Sequence, residues 1–263
     1  MLISPPYPHP ISTVIKYGTL AIPDLNWVAS TPTLALSSGA GTLPAMFTTI
    51  QGRGFGKTLK HYLPHVTSSL HISGSDLTRL ETEIMRDINI VVSSGKPYRH
   101  HSLMQHIAVG IHFWGGHSGR NAFVRGNGFF SNCPVNDYAN MVESLISHPG
   151  GAMLPAGHWG TVYNYAANFR NIGVSFATKH LSFWSKATTS SIRLPILDSI
   201  IYQKFISPKG LPQWQHYVPF VKDFENVRRI VAARPGLAGI TLDQMERQLF
   251  NWINTPAAQD WNR

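Results

Sequence analysis

Apolar residues after position 75 recur every three or four positions, and this spacing constrains the fold more than any other feature of the sequence. It begins behind Ser75 and Asp76, two candidate helix caps, and continues through Leu77, Leu80, Ile84, Ile88 and Val91. Sustained alternation with a period of two, which would indicate half-buried strands, does not occur in the sequence. We therefore expect a mostly α fold.

The same spacing predicts further helices along the chain. The segments are 101–116, a helix from about Asp137 that stops before Pro149, and helices at 160–169, 199–206 and 220–233. Near the end of the sequence, Thr241 and Gln244 form a capping-box pattern. Behind them Leu242, Met245, Leu249 and Trp252 make one apolar stripe.

The first 75 residues differ from the rest because they are rich in Pro, Gly, Ser and Thr. We expect an irregular region (1–75) packed on a helical domain (76–263). The single cysteine, Cys133, excludes an internal disulfide and an all-cysteine metal site within one chain. No window reaches the roughly 18 apolar residues of a membrane span, and the N-terminus lacks the basic region of a secretory signal. A cytoplasmic protein is the expectation.

The charge balance points to a partner. Only 13% of residues are charged, and the net charge of +9 arises from 13 acidic against 22 basic side chains. The basic residues stand among Gly, Ser, Asn, His and aromatic residues, a mixture typical of a groove that contacts phosphates and stacks on bases. A basic protein without such a partner is the alternative.

The segment 165–184 predicts a helix, a short break and a second helix. The first helix should end near Arg170, and the second should start near Val174 or Ser175, since Asn and Gly in the break tolerate left-handed backbone. This is the outline of a helix-hairpin-helix at about 160–186, although an ordinary helical hairpin gives the same pattern. Backbone amides at the start of a helix bind phosphate. The predicted DNA-binding residues are Asn171, Ile172, Gly173, Val174 and Ser175.

Two polar residues frame the next part of the chain. Lys179 lies in the first turns of the second helix, and Asp198 stands where the following helix should begin. Taken singly, they suggest a surface lysine and a helix cap. Taken as a pair they suggest more, because a short helix and a return through 186–194 can bring both side chains to one cleft.

The run from Asn171 to Lys179 resembles the hairpin of bacterial 8-oxoguanine DNA glycosylase-like proteins, in the helix-hairpin-helix DNA glycosylase superfamily. The segment Pro195-Ile196-Leu197-Asp198 is similar to the one that carries the superfamily's aspartate, and Met245-Glu246-x-x-Leu249-Phe250 is also similar to this branch. The sequence departs from the pattern at Asn171, where the family usually has its first hairpin glycine. The specific resemblance covers 171–198.

The resemblance implies a helix-hairpin-helix glycosylase-like fold and an enzyme that excises a damaged or modified base. It makes Lys179 the nucleophile that forms a Schiff base and Asp198 its electrostatic and acid–base partner, with nicking of the strand at the abasic site. Apolar residues near Lys179 in the sequence disfavour the ammonium and so favour the attacking amine. The implied partner is double-stranded DNA, bound by a monomer without metal or cofactor.

A glycosylase must also hold the extruded base and fill the gap in the duplex. The glycine-rich segment 112–130 offers candidates for a base pocket or wedge, which are Phe113, Trp114, His117 and Arg120. The alternative is a surface loop whose Phe and Trp belong to the core. Trp159, Trp214 and His216 are equally plausible pocket residues.

Two other functions remain open at this point. A helix-hairpin-helix protein without catalytic activity would bind DNA only, and a metal-dependent nuclease would use the histidines between 100 and 117, although carboxylates are almost absent there. The excised base is also open. Repair of 8-oxoguanine and antiviral defence against hypermodified phage bases are both compatible with the resemblance.

Overall fold

The computed structural model describes residues 14–17, 20–23, 41–42, 60–64, 71–72, 74–115, 135–147, 172–188 and 193–253, and they are predominantly helical. The α-helices are α1 (Gly74–Ser94), α2 (His101–Trp114), α3 (Val135–Ile146), α4 (Val174–Ala187), α5 (Ser199–Phe205), α6 (Trp214–Ala232) and α7 (Leu242–Ile253), and a 3-10 turn (Pro97–Arg99) joins α1 to α2. The mostly α prediction is confirmed.

Four short strands lie among the residues described before α1. Strand β1 (Val14–Tyr17) pairs antiparallel with β2 (Leu20–Pro23), and β3 (Gly41–Thr42) pairs antiparallel with β4 (His71–Ile72). The β1–β2 hairpin lies against α6, and β2 also approaches α5.

The apolar stripes predicted from the sequence form the core. All five stripe residues of α1 and all four of α7 are buried. Burying such a stripe stabilises a helix far more than intrinsic propensity does, so the spacing of three and four predicted these helices and their buried faces correctly. Helix α1 packs against α2 and α4.

Helix α4 lies at the centre of the helical part. It contacts α1, α2 and α3, and its residues from Ala177 to Ser185 are all buried. A helix buried on all sides usually carries apolar residues all round. Polar side chains on this helix therefore need a partner inside the protein or a function.

One predicted boundary is wrong. Helix α6 begins at Trp214, six residues before the expected start at 220, because Gln213 and His216 form a reciprocal cap there. Pro219 lies inside the helix, where it removes one backbone donor without ending the helix. The helix predicted at 160–169 lies outside the described residues. Among the residues described, no helix is long and apolar enough to cross a membrane.

Candidate active site around Lys179

Residues 193–198, the return segment, run along α4 to the start of α5 because hydroxyl groups of α4 bind their backbone. The Leu194 amide donates to Ser185 Oγ at 2.8 Å, and the Leu197 amide donates to Thr178 Oγ1 at 3.2 Å. Thr178 and Ser185 lie seven residues apart, which is about two turns, so both hydroxyls face the same side of α4. The return segment thus runs antiparallel to α4. It ends at Asp198, next to the turn of α4 that carries Lys179.

Asp198 is the N-cap of α5. Its Oδ1 accepts a hydrogen bond from the Ile201 amide at 2.8 Å, and the helix N-terminus favours its negative charge. No other hydrogen bond to this carboxylate is found within the described part of the chain, so Oδ2 is available for a second role. The cap expected from the sequence is present, and it uses only one of the two carboxylate oxygens.

Lys179 is 8% exposed and makes no ion pair among the described residues, where no carboxylate oxygen comes within 4.0 Å of its Nζ. The Nζ atom lies 4.5 Å from the centre of the Phe176 ring instead. Burial lowers the pKa of Lys179, and the carboxyl groups of Asp198 and Glu246 only partly oppose this change. The environment therefore favours a neutral amine, which has the lone pair that a nucleophile needs.

The end of α2 fixes the position of this lysine. A Cβ atom added at Gly115 would lie 2.6 Å from Phe176 Cε1 and 3.1 Å from Lys179 Cδ. The first distance is shorter than real Cβ contacts and the second is tighter than most of them, so a side chain at position 115 would displace Phe176 and press on the stem of Lys179.

Glu246 is a member of the site that the sequence analysis missed. It is 5% exposed and lies on α7 four residues after Leu242 and three before Leu249, in the apolar stripe. Burial and the neighbouring Asp198 carboxylate raise its pKa to about 8, while Arg247, Lys186 and Lys179 lower it. A carboxyl group at a core-facing position of a helix was the signal available in the sequence.

A second charged cluster lies beside the first. Lys186 Nζ lies 3.4 Å from Glu81 Oε1, and the same oxygen accepts a hydrogen bond from Arg247. Lys186 also stands over an aromatic ring, 4.9 Å from the centre of Phe183. These charges from α1, α4 and α7 are paired, in contrast to the charges around Lys179.

Two buried histidines, His112 and His180, lie near Lys179. Trp184 Nε1 donates to the Tyr138 hydroxyl at 2.7 Å, and this hydroxyl lies 3.0 Å from His180 Nδ1. If the hydroxyl donates to Nδ1, the proton of the neutral ring is on Nε2. The ring of His112 stacks on Phe176 at 5.1 Å, and burial together with Lys179 lowers the pKa of His112 to about 3. Burial also lowers the pKa of His180, so both rings favour the neutral form.

Only some of the predicted pocket and wedge residues lie within the described part of the chain. Phe113 is buried in the core, which was its alternative role, and Trp114 is half-buried with its ring edge-on to Phe183 at 5.0 Å. Trp214 and His216 lie on α6. His117, Arg120 and Trp159 lie outside the described residues. Within those residues, no group of three or more His, Cys, Asp or Glu side chains is arranged to hold a metal ion.

The start of α4 has the geometry of an uncapped helix N-terminus. Gly173 is the N-cap and offers no side chain, with φ −67° and ψ 160°, so its backbone is extended rather than left-handed. Val174 is buried, whereas Ile172 and Ser175 are half-buried and Gly173 is exposed. Asn171 lies outside the described residues. Among the described residues, no side chain caps the first amides of α4.

Comparisons with protein-family models, with curated proteins and with solved structures find no match to this chain. Its function is therefore inferred from its own residues and their geometry.

Proposed function

We propose that this protein is a DNA glycosylase that excises a damaged or modified base, with Lys179 as nucleophile and Asp198 as its electrostatic partner. The observation that carries the proposal is the buried amine of Lys179, which has no ion pair within the described residues and lies near the carboxyl group that the return segment brings back. A lysine kept for structure alone would be paired or exposed.

The chemistry follows from these two side chains. The lone pair of the Lys179 amine forms a bond to C1′ of a nucleotide that has been turned out of the duplex, and the bond from C1′ to the base breaks. Positive charge develops on the sugar as that bond breaks, and the Asp198 carboxylate stabilises it. The covalent product opens to a Schiff base, which promotes elimination of the 3′ phosphate and so nicks the strand.

DNA binding is supported by charge and by one helix end. The net charge of +9 favours a polyanion, and the uncapped amides at the start of α4 suit a phosphate oxygen. Lys179 is five residues after Val174, the first residue of α4, so a phosphate bound there would lie within about two turns of the nucleophile. The helix-hairpin-helix glycosylase fold is part of this proposal.

The candidate substrates come from the resemblance of residues 171–198 to bacterial 8-oxoguanine DNA glycosylase-like proteins. We propose either 8-oxoguanine, with a role in base-excision repair, or a hypermodified phage base, with a role in antiviral defence. The two differ in the size of the base, and duplexes carrying each one separate them.

Borohydride trapping tests the mechanism. Duplexes carrying 8-oxoguanine, an abasic site or glucosylated hydroxymethylcytosine would be incubated with wild type or Lys179→Gln. We expect a covalent adduct with wild type that Lys179→Gln does not form, and the best-trapped modified base identifies the substrate. Adduct formation by Lys179→Gln, or no adduct with wild type on any duplex, would contradict the proposal. In the second case, intact DNA binding would favour a DNA-binding protein without catalysis.

A further inference from the structure

Glu246 differs from Glu225, which is buried, and from Glu81, which is partly buried, in having no partner among the described residues. Glu225 binds Arg228 through both oxygens, at 2.6 and 2.7 Å, and Glu81 binds Lys186 and Arg247. Glu246 makes no hydrogen bond or ion pair within the same part of the chain. An ionised carboxylate that is nearly buried and unpaired is strongly disfavoured, whereas the neutral acid is tolerated.

The charged and titratable groups that face Glu246 come from several elements. They are Lys179 and Lys186 on α4, Asp198 at the start of α5, Tyr217 on α6 and Arg247 on its own helix. Of the cations, Lys186 and Arg247 already share the Glu81 carboxylate of α1. Burial and Asp198 outweigh the cations, so the pKa of Glu246 rises to about 8 and the group is a carboxylic acid at neutral pH.

Two carboxyl groups of one site thus have different environments. Asp198 is half-exposed and accepts a hydrogen bond from a backbone amide at the start of α5, while Glu246 is buried and accepts none within the described residues. Opposite environments for paired carboxyl groups assign one of them as acid and the other as charge stabiliser. The charge-stabilising role fits Asp198, which leaves the proton donor to be identified.

We infer that Glu246 is the proton donor to the departing base, an inference that rests on the proposed glycosylase function. As the bond from Lys179 Nζ to C1′ forms, the bond from C1′ to the base breaks and its electron pair goes to the base. The proton on the Glu246 carboxyl group moves to the base, which leaves neutral, and Glu246 becomes a carboxylate. That carboxylate then accepts a proton from the newly alkylated Lys179 nitrogen and is restored.

Glu246→Gln separates this role from a structural one. Glutamine has the same shape and can donate a hydrogen bond but cannot transfer a proton, so base release under single-turnover conditions should fall by about 100-fold or more. An abasic site has already lost its base, so the borohydride adduct with an abasic duplex should persist. The alkaline fall of base release near pH 8 in wild type should disappear in the variant. Asp243→Asn is the matched control, since Asp243 is also buried on α7 but binds Thr241 Oγ1 at 2.5 Å.

The outcomes distinguish the two proposals. No adduct of wild type on any duplex would contradict the glycosylase function itself. An adduct of wild type together with unchanged base release by Glu246→Gln, or an equal loss of base release and of the abasic-site adduct, would overturn only the role of Glu246. If wild type traps the abasic site and releases neither base, the infrared spectrum at pH 7 tests whether Glu246 carries the proton that it would donate. A carbonyl stretch of a protonated carboxylic acid that vanishes in Glu246→Gln supports the inference, and its absence overturns it.

Discussion

Lys179 and Lys186 lie two turns apart on α4 and differ mainly in their ion pairs. Each follows a phenylalanine by three positions, and its nitrogen stands over that ring, at 4.5 Å for Phe176 and 4.9 Å for Phe183. Only a small part of either side chain is exposed, and burial lowers the pKa of both. Lys186 has the Glu81 carboxylate at 3.4 Å, whereas Lys179 has no carboxylate oxygen within 4.0 Å in the described part of the chain.

This difference separates a lysine that holds helices together from one that can react. The Glu81 carboxylate opposes the lowering of the Lys186 pKa and ties α4 to α1, and an ammonium ion held in such a pair has no lone pair with which to attack. At Lys179 the two carboxyl groups lie near enough to act electrostatically but do not bind the nitrogen. A lysine without a bound carboxylate lowers stability and gains reactivity, as expected of functional sites.

The largest expected effect is on adduct formation by the two lysine variants. Lys179→Gln should reduce the rate of borohydride trapping by about 10³-fold or more, because the nucleophile is lost. Lys186→Gln should trap at nearly the wild-type rate, measured under the same single-turnover conditions. Equal losses in the two variants would contradict the different roles of the two lysines, since they would indicate that the whole helix is perturbed.

A change at Asp198 should have the next largest effect. Asp198→Asn should slow trapping on a base-containing duplex by about 10²- to 10³-fold, because a neutral amide stabilises the positive sugar poorly. Asparagine is also a good N-cap, so urea unfolding should be almost unchanged. Asp198→Ala is the control for the cap and should lose about 1 kcal/mol of stability in addition. Wild-type trapping by Asp198→Asn would leave the aspartate only its role as a cap.

The stability of the lysine variants should show the opposite order from their reactivity. Lys186→Gln leaves Glu81 with only Arg247 and should lower the free energy of unfolding by about 1–3 kcal/mol. Lys179→Gln removes a buried amine whose ammonium form has no ion pair in the described residues, so stability should stay the same or rise by up to about 1 kcal/mol. Urea unfolding monitored by circular dichroism measures both. A larger loss for Lys179→Gln would show that Lys179 is the structural lysine.

Gly115 tests how tightly the nucleophile is positioned. The added methyl of Gly115→Ala would press on Phe176 and Lys179 and should slow trapping by about 10- to 100-fold through displacement of the amine. Gly239→Ala is the control, because no described atom lies within 4 Å of a Cβ added there. Equal trapping by both variants would show that the α2 contact does not position Lys179.

A further test is the dependence of stability on pH. The folded pKa of Glu246, about 8, exceeds its ordinary value of 4.5, so the folded state holds more protons between these values. Stability is therefore lost as pH rises from about 4.5 to 8, by at most about 1.4 kcal/mol per pH unit from this group. Glu246→Gln should lose this component of the slope in urea titrations at several pH values. An unchanged slope would mean that Glu246 is ionised in the folded protein.

Most of the helical architecture could be predicted from the sequence because apolar spacing reports burial directly. The stripes of α1 and α7 are in the core, and Asp198 caps the helix that its position indicated. The start of α6 was expected six residues too late, because the local cap at Gln213 begins the helix at Trp214 and Pro219 does not end it. The start of α4 was located correctly, although Gly173 is extended rather than left-handed.

The candidate site was less predictable. Lys179 and Asp198 could be paired because a short return segment joins them. Glu246 lies 48 residues further along, and nothing in its spacing shows which groups its helix approaches. Lys186 has the same local sequence pattern as Lys179, a phenylalanine three positions earlier. Only the position of Glu81, about 100 residues before both, separates the paired lysine from the unpaired one.

Peptide mapping of the trapped complex tests the central claim most directly. Wild-type protein would be reduced with borohydride on an abasic duplex, digested, and analysed by mass spectrometry to find the lysine that carries the sugar. We predict that the modified residue is Lys179 and that the peptide containing Lys186 is unmodified at that residue. Modification of Lys186, of another lysine or of the N-terminal amine, with Lys179 intact, would contradict the account.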